Sequence, residues 1–390
     1  MDMQAYIDRD ITSDIKNDLA LFPAVALMGP RQCGKSRLAA KIAESYPGSL
    51  RLDLENPRDR AKLSDPQLYL ESNASRLVCI DEIQLVPELF PVLRSEIDRD
   101  RRAGRFLILG SASRTLVNRS AESLAGRIGY RELTPFMPTE YLPASPSPVL
   151  EALSRGGFPE SALAAKGEGS FRWRESFLKS IVERDLPMLG SRIPSVAMER
   201  FLTMCAHLQA QILNQAKLGA SLDLSGPAVR SRLEFLHEAL FVRLLAPWET
   251  NPKKRLVKSP KLYIRDSGLC HALLGIGSVD ELLGHPIFGS SWEAFCVQTL
   301  CSSFPDWRAS FYRSSGGAEL DLVLEKGSRT LAFECKASSA PSPTKGFYSA
   351  LADLKPEHSY VVGLIDGSYP IAKDVTACGI RECVDLVRKS

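Results

Sequence analysis

Eight consecutive residues restrict what this 390-residue chain can fold into more than anything else in it. Gly29-Pro30-Arg31-Gln32-Cys33-Gly34-Lys35-Ser36 matches G-x-x-x-x-G-K-[ST] at every fixed position. The apolar run Ala24–Met28 precedes it and a helical pattern over 35–45 follows. Strand, tight turn and helix thus come in the order that phosphate binding needs. Such a loop wraps backbone N–H groups around phosphate oxygens, which calls for glycine at Gly29 and Gly34. The helix adds its positive dipole end, and the Lys35 ammonium reaches the β- and γ-phosphates. The Ser36 hydroxyl is placed to ligate Mg²⁺. The nucleotide-binding set is therefore Gly29, Pro30, Arg31, Gln32, Cys33, Gly34, Lys35, Ser36 and Arg37, with ATP and Mg²⁺ as cofactors.

Downstream segments complete the same chemistry. Strand-like runs over 49–54, 77–80 and 106–109 alternate with helical patterns, including one over 88–101. That alternation predicts an α/β domain with a mainly parallel sheet. The run ending at Ile80 leads into Asp81 and Glu82. Asp81 is the expected holder of the magnesium shell and Glu82 the group that polarises the attacking water. Taken alone, two acids after a strand make a solvated loop; behind a phosphate loop they become a site. After 106–109 comes Gly110-Ser111-Ala112-Ser113. The resemblance to AAA-type ATPases, in which the polar residue after this strand senses the γ-phosphate, makes Ser111 a candidate sensor, with a helix N-cap as the alternative. Arg114 and Arg127 follow. Arg127, in Leu124-Ala125-Gly126-Arg127, is the preferred arginine finger for a neighbouring subunit, with a surface salt bridge as the plainer alternative.

Composition narrows the class. Hydrophobic residues are 44% and charged residues 24%, an ordinary globular balance. No apolar run is long enough to span a bilayer. Met1-Asp2-Met3-Gln4 lacks a signal peptide's basic flank, so the expectation is a cytoplasmic protein with no membrane partner. Nine cysteines without a Cys-x-x-Cys pair, and five histidines, fit neither a disulfide framework nor a zinc site. They are expected to be reduced packing residues.

Pro- and Ser-rich 142–148 (LPASPSP) marks a boundary, and 149–192 reads as helical. Short helices are expected over 211–218 and 228–244, the second capped by Ser225, followed by the strand Lys261–Ile264. Two helices joined this way predict a winged helix-turn-helix. Lys253, Lys254, Arg255, Lys258, Lys261 and Arg265 crowd into its last part. Lys253, Lys254, Arg255 and Lys258 are the candidate DNA-binding residues, although a net charge of +3 does not by itself argue for nucleic acid.

The last block opens with a helical pattern over 291–300 and continues with strands over 320–324, 330–335 and 360–365. It carries Gly317-Ala318-Glu319-Leu320-Asp321 and then Phe333-Glu334-Cys335-Lys336. Residues two apart on a strand share a face, so Glu334 and Lys336 project together. With Asp321 on the adjacent strand, the two carboxylates could bind a divalent metal and Lys336 could orient or deprotonate water. An ordinary hairpin with exposed charges is the alternative. The acid-then-Glu-x-Lys order is similar to PD-(D/E)xK nucleases, in which a preceding helix supplies one more acid, here Glu293.

Residues 29–36, 80–84 (Ile-Asp-Glu-Ile-Gln), 110–113, 124–127, Glu293, 317–321 and 333–336 carry one resemblance over nearly the whole chain. The chain resembles a prokaryotic family of AAA-type P-loop ATPases joined to a C-terminal domain of unknown function that is restriction-endonuclease-like. The resemblance implies ATP hydrolysis in a homo-oligomer, with a hexamer as one option, and duplex or branched DNA as partner. The expected organisation is an AAA-like domain over 1–145, a helical linker over 146–197, a winged helix over 198–284 and a nuclease-like α/β domain over 285–390. Three functions follow: a DNA-binding motor or switch, an ATP-dependent nuclease cutting with Asp321, Glu334 and Lys336, and a regulator using the same folds for protein contacts.

Overall fold

A computed structural model describes residues 6–111, 123–248 and 258–389. Its packing divides the chain into two units, Met1–Phe136 with Glu238–Leu240, and Met137–His237 with Phe241–Ser390.

The first unit is built on five parallel strands: β1 (Ala24–Met28), β2 (Leu50–Asp53), β3 (Val78–Asp81), β4 (Phe106–Gly110) and β5 (Ile128–Glu132). Their order is β2-β3-β4-β1-β5. Side chains alternate across a strand. Ala24, Ala26, Ile80 and Ile108 therefore pack on one face with Phe90, Leu93 and Ile97 of the helix Leu89–Arg99. Val25, Leu27, Cys79 and Leu107 pack on the other, against Leu38 and Ile42 of the helix Lys35–Ala43 and Ile15 of the helix Thr12–Leu21. Because both faces are covered, the central strands read as nearly unbroken apolar runs.

The second unit begins with the helices Pro148–Arg155, Pro159–Ala162 and Gly167–Ser180, the last running into a π-helical turn at Ile181–Asp185. The helical stretch expected over 149–192 is interrupted at Gly156, whose φ of 73° favours glycine. The helix Ser195–His207, β6 (Gln211–Ile212), the helices Gln215–Ala220 and Gly226–Glu238, β7 (Val242–Leu245) and β8 (Lys261–Ile264) follow. The three strands form an antiparallel sheet in the order β6-β8-β7.

Two sequence expectations shift here. The helix expected over 211–218 starts at Gln215, because Asn214 caps it by accepting from the Lys217 N–H at 2.9 Å. The helix expected over 228–244 ends at Glu238, and Leu240, at a φ of 61°, turns the chain into β7. Ser225 does cap its start, accepting from the Ala228 N–H at 3.4 Å.

The chain then forms a mixed six-stranded sheet: β9 (Arg308–Arg313), β10 (Glu319–Lys326), β11 (Arg329–Cys335), β12 (His358–Val362), β13 (Ser368–Ala372) and β14 (Val375–Cys378), ordered β13-β14-β12-β11-β10-β9. Trp292, Cys296 and Leu300 of the helix Phe288–Ser303 cover one face, against Leu322, Leu324 and Phe333. Phe347 and Ala350 of the helix Lys345–Leu354 cover the other, against Leu320, Val323 and Val361. The small sheet joins the edge of the large one, where Trp248 N–H donates to Phe311 O at 2.7 Å and Phe311 N–H to Ala246 O at 3.0 Å. One core thus runs from Leu153 through Leu245 and Tyr263 to Trp292 and Phe333. All nine cysteines are buried and free. Among the described residues no helix is long and apolar enough to cross a membrane.

Trp292 is fully buried and its indole N–H donates to Val362 O at 3.2 Å. Trp292→Ala should therefore destabilise the second unit by about 3–5 kcal/mol, read as a lowered urea midpoint in tryptophan-independent circular dichroism.

Candidate functional site

The parallel register gathers the phosphate-loop residues at one edge of the first sheet. Met28 pairs with Gly110, Ile80 with Ile108 and Asp53 with Asp81. Gly29, Asp81 and Ser111 therefore leave the sheet at the same carboxyl edge, the usual place for ligand crevices in α/β sheets. Insertion of β4 between β1 and β3 separates the loop from the two acids and puts Ser111, buried just after β4, between them.

The loop's composition has local causes. A Cβ on Gly29 would lie 2.3 Å from Leu133 O, and Gly34 has a φ of 102°. Lys35 is buried and its Nζ donates to Gly29 O and Pro30 O, both at 2.9 Å. Cys33 is enclosed, burial pushing its thiol pKa up, so it packs and does not react. Arg31 pairs with Glu55, while Gln32, Ser36 and Arg37 stand exposed along the loop and first helical turn. Arg9, which the sequence did not single out, braces the loop from behind by donating to Cys33 O at 3.1 Å and Thr134 O at 2.6 Å.

Beyond β3 the backbone turns sharply. Glu82 takes φ 54° and ψ 43°, a left-handed conformation uncommon for a residue with a side chain. Burial raises its carboxyl pKa, while Lys35, a hydrogen bond from Gln84 and Arg31 pull the other way. A carboxylate poised nearer neutrality accepts a proton from water more readily. The Ser36 hydroxyl and Asp81 carboxylate are hard oxygen donors of the kind Mg²⁺ selects, so the residues fit that ion.

Arg127 stands elsewhere. Its carbonyl accepts from the Ala24 N–H at 3.2 Å, at the amino edge of the sheet, and its Nε donates to Asp98 Oδ1 at 2.7 Å. In its own chain it is remote from the phosphate loop, and the surface ion pair foreseen as the plainer alternative is present. Arg114 lies outside the described residues.

In the second unit, Glu293, Asp321, Glu334 and Lys336 are brought together from one helix and two strands, beside Lys261, which the sequence reading counted only as one of a basic cluster. Lys261, only 2% exposed, points its Nζ at Glu293 Oε1 (2.8 Å), Asp321 Oδ1 (3.1 Å) and Glu319 Oε1 (3.3 Å). Tyr263 Oη also donates to Glu293 Oε1 at 2.7 Å, and Cys335 N–H donates to Asp321 Oδ2 at 2.9 Å. Lys336 pairs with Glu334 at 2.5 Å. Glu293 is thus engaged by the ammonium and a phenol, Asp321 by the ammonium and a backbone donor, and Glu334 by Lys336. Among the described residues no group of three or more His, Cys, Asp or Glu could hold a metal.

Burial works against charge on Lys261, but Asp321 and Glu293 outweigh it and hold its pKa up. Burial, then the Asp321 charge, pushes Glu293 up to about 8. Burial does the same to Glu334, up to about 7. A signal for Lys261 was present: Lys261 and Tyr263 alternate on one face of an otherwise apolar strand, which is how an inward-facing pair reads. Of the proposed DNA contacts, Lys258 is exposed, while Lys253, Lys254 and Arg255 lie outside the described residues.

Comparison with known proteins places this geometry. Residues 21–142 match the family described as "AAA domain", residues 148–280 "Domain of unknown function (DUF8612)" and residues 288–383 "Domain of unknown function (DUF4143)". Uncharacterized protein Rv2008c of Mycobacterium tuberculosis (strain ATCC 25618 / H37Rv) is 41% identical over 369 residues, covering 95% of this chain and 82% of that protein. The same figures hold for Uncharacterized protein Mb2031c of Mycobacterium bovis (strain ATCC BAA-935 / AF2122/97). The chain belongs to the Rv2008c family. Its AAA-type P-loop domain holds the phosphate loop and the Asp81–Glu82 pair, and two domains of unknown function lie downstream. Among solved structures, the Walker-type ATPase PABY2304 of Pyrococcus abyssi is 15% identical, covers 69% of this chain and 96% of its own, and has a TM-score of 0.48. At that level it carries no further conclusion.

The acid cluster has a defined pH signature. Glu293 binds its proton more tightly folded (about 8) than at the ordinary 4.5. Its contribution to stability is therefore present below pH 4.5 and is lost as pH rises through 8. The urea midpoint should fall between pH 5 and pH 8, and Glu293→Gln should reduce that fall, leaving the part due to Glu334.

Proposed function

We propose that the chain is an ATP-hydrolysing molecular switch whose active centre is the carboxyl edge of the first sheet. The observation that carries this is the convergence there of the Lys35 loop, Asp81, a desolvated Glu82 and Ser111. In this reading the loop N–H groups and Lys35 hold the β- and γ-phosphates, with Lys35 Nζ leaving Gly29 O and Pro30 O for phosphate oxygens. Ser36 and Asp81 hold Mg²⁺, which supplies charge neutralisation on the phosphates when bound. Glu82 takes a proton from the attacking water, and Ser111 contacts the γ-phosphate. In a homo-oligomer, Arg127 would have to act on a neighbouring subunit's nucleotide and give up Asp98 to do so.

Lys35→Ala should lose most ATP binding, since the triphosphate charge loses its main cationic partner. Glu82→Gln should bind ATP with near-normal affinity and release phosphate on the order of 10²-fold more slowly. Calorimetry and a phosphate-release assay separate the two, and wild-type turnover by Glu82→Gln would refute the role given to Glu82.

A second reading, that this switch acts on DNA, is favoured by one topological observation. The order helix, β6, two helices, β7 and β8, with the strands ordered β6-β8-β7, is consistent with a winged helix-turn-helix. The helix Gly226–Glu238 would be its recognition helix, exposing Arg230, with Lys258 exposed ahead of β8. In this reading the six-stranded sheet is a nuclease-like module that holds DNA, with the Lys261 ammonium neutralising Glu293 and Asp321. Each phosphate contact contributes roughly 0.9 to the slope of log affinity against log salt. Arg230→Ala with Lys258→Ala should flatten the slope for duplex DNA by up to about 2, and an unchanged slope in a gel-shift series would remove this reading.

A further inference from the structure

The phosphate loop is stitched along its rear to the chain that leaves β5. Leu133 N–H donates to Met28 O at 2.7 Å, and Cys33 Sγ lies 3.5 Å from Leu133 O, the carbonyl that leaves no room for a Cβ at Gly29. Arg9 extends this seam. Its own carbonyl accepts from Thr12 N–H at 3.0 Å and Thr12 Oγ1 at 2.6 Å, which fixes its backbone at the start of the helix Thr12–Leu21. That helix is held to β5, where Arg131 Nε and Nη2 donate to the Asp18 carboxylate at 2.6 and 3.0 Å. The Arg9 side chain is buried, and its two terminal nitrogens divide between two carbonyls. Nη1 donates to Cys33 O at 3.1 Å and Nη2 to Thr134 O at 2.6 Å, while the guanidinium carbon lies 4.9 Å from the centroid of the Phe136 ring. A planar fork held at both tips and over an aromatic face has little freedom left.

The bond to Cys33 O reaches one atom further. A trans peptide unit is planar, so its C=O and N–H point in opposite directions, and the described residues contain no cis peptide. Drawing Cys33 O back onto Arg9 therefore turns the Gly34 N–H away from Arg9 and out of the seam. On either side of Cys33, Gln32 (φ 61°) and Gly34 (φ 102°) are left-handed, the kind of backbone that gathers successive N–H groups into an anion-binding hollow. A side-chain-bearing residue such as Gln32 keeps that conformation where its surroundings impose it. We propose that Arg9 is a positioning residue for nucleotide, presetting the Cys33–Gly34 peptide so that the Gly34 N–H meets the β-phosphate, without touching the nucleotide itself. The assignment rests on the ATPase reading above. ADP and ATP both carry the β-phosphate, and the amide serves ground and transition states alike. Arg9 therefore acts on affinity and leaves the chemical step alone. Without it, ordering that peptide becomes a cost of binding.

The test compares the full chain as wild type, Arg9→Met, which is neutral and unforked, and Arg9→Lys, which keeps the charge but has one nitrogen in place of the fork. The Kd of fluorescent ADP and of a non-hydrolysable fluorescent ATP analogue is measured with Mg²⁺, beside KM and kcat for phosphate release and the urea midpoint. Arg9→Met should weaken both nucleotides by the same factor, on the order of tenfold, the scale of one misdirected hydrogen bond to a charged group. KM should rise in parallel, with kcat kept within about threefold. Arg9→Lys should fall between Arg9→Met and wild type. Unchanged Kd and KM with only a lowered urea midpoint would mean that the arginine merely packs, and the assignment is overturned. A fall in kcat at unchanged KM overturns it as well, and so does Arg9→Lys matching wild type, since charge alone would then suffice. If Arg9→Met does not fold, Arg9→Lys decides by the same comparison of Kd and kcat. Wild type that binds neither nucleotide removes the ATPase reading itself, a result distinct from wild type and Arg9→Met binding equally well.

Discussion

A parallel sheet covered by helices on both faces leaves one place for polar chemistry, and the first unit is organised by that restriction. The three central strands are apolar on each side, so in them charge and hydroxyl groups appear only where the strands stop. At the carboxyl edge the stops coincide in register, bringing the phosphate loop, two acids and a serine from segments far apart in sequence into one crevice. The close approach of Gly29 to the Leu133 carbonyl, the buried ammonium of Lys35 and the left-handed turn at Glu82 are consequences of crowding so much backbone around one small volume. Groups at the opposite edge, such as Arg127, are excluded from that crevice in their own chain.

The second unit is organised by electrostatics inside a core. Three carboxylates share one ammonium where the small antiparallel sheet meets the large one. Isolated carboxylates in such a place would be strongly disfavoured, and a single lysine with a tyrosine and a backbone donor offsets much of that cost. The remaining imbalance appears as the raised pKa values of Glu293 and Glu334. A divalent ion would need the same lone pairs. In this structure the Lys261 ammonium stands against both Glu293 and Asp321. The register shift between β9 and β10 around Leu320 and Val323 accompanies this, falling beside Asp321.

Much of the first unit was legible because its signals are local. A strand, a loop and a helix start occupy consecutive residues from Ala24 onward, and the strand-then-two-acids signal needs only six residues around Asp81. Capping was equally legible where one side chain decides it, as at Ser225. The helical middle was less so. A helix and a strand of four to eight apolar residues look alike by periodicity, and the ends of both misread segments were decided by single residues, Asn214 and Leu240.

By itself the sequence determined the phosphate-binding motif, the acid pair and the two-face burial of the central strands, because each depends on neighbours within a few residues. The tertiary structure alone decided which strand lies between the loop and the acids, since sheet order follows from long-range pairing that no local pattern encodes. It alone placed Arg127 at the far edge and turned the Gln84 amide onto Glu82. It alone took Lys261 out of a stretch that reads as a basic surface and set it among carboxylates 32 and 60 positions later. A lysine's charge is visible in sequence, but whether water or a carboxylate balances it depends on what folds against it.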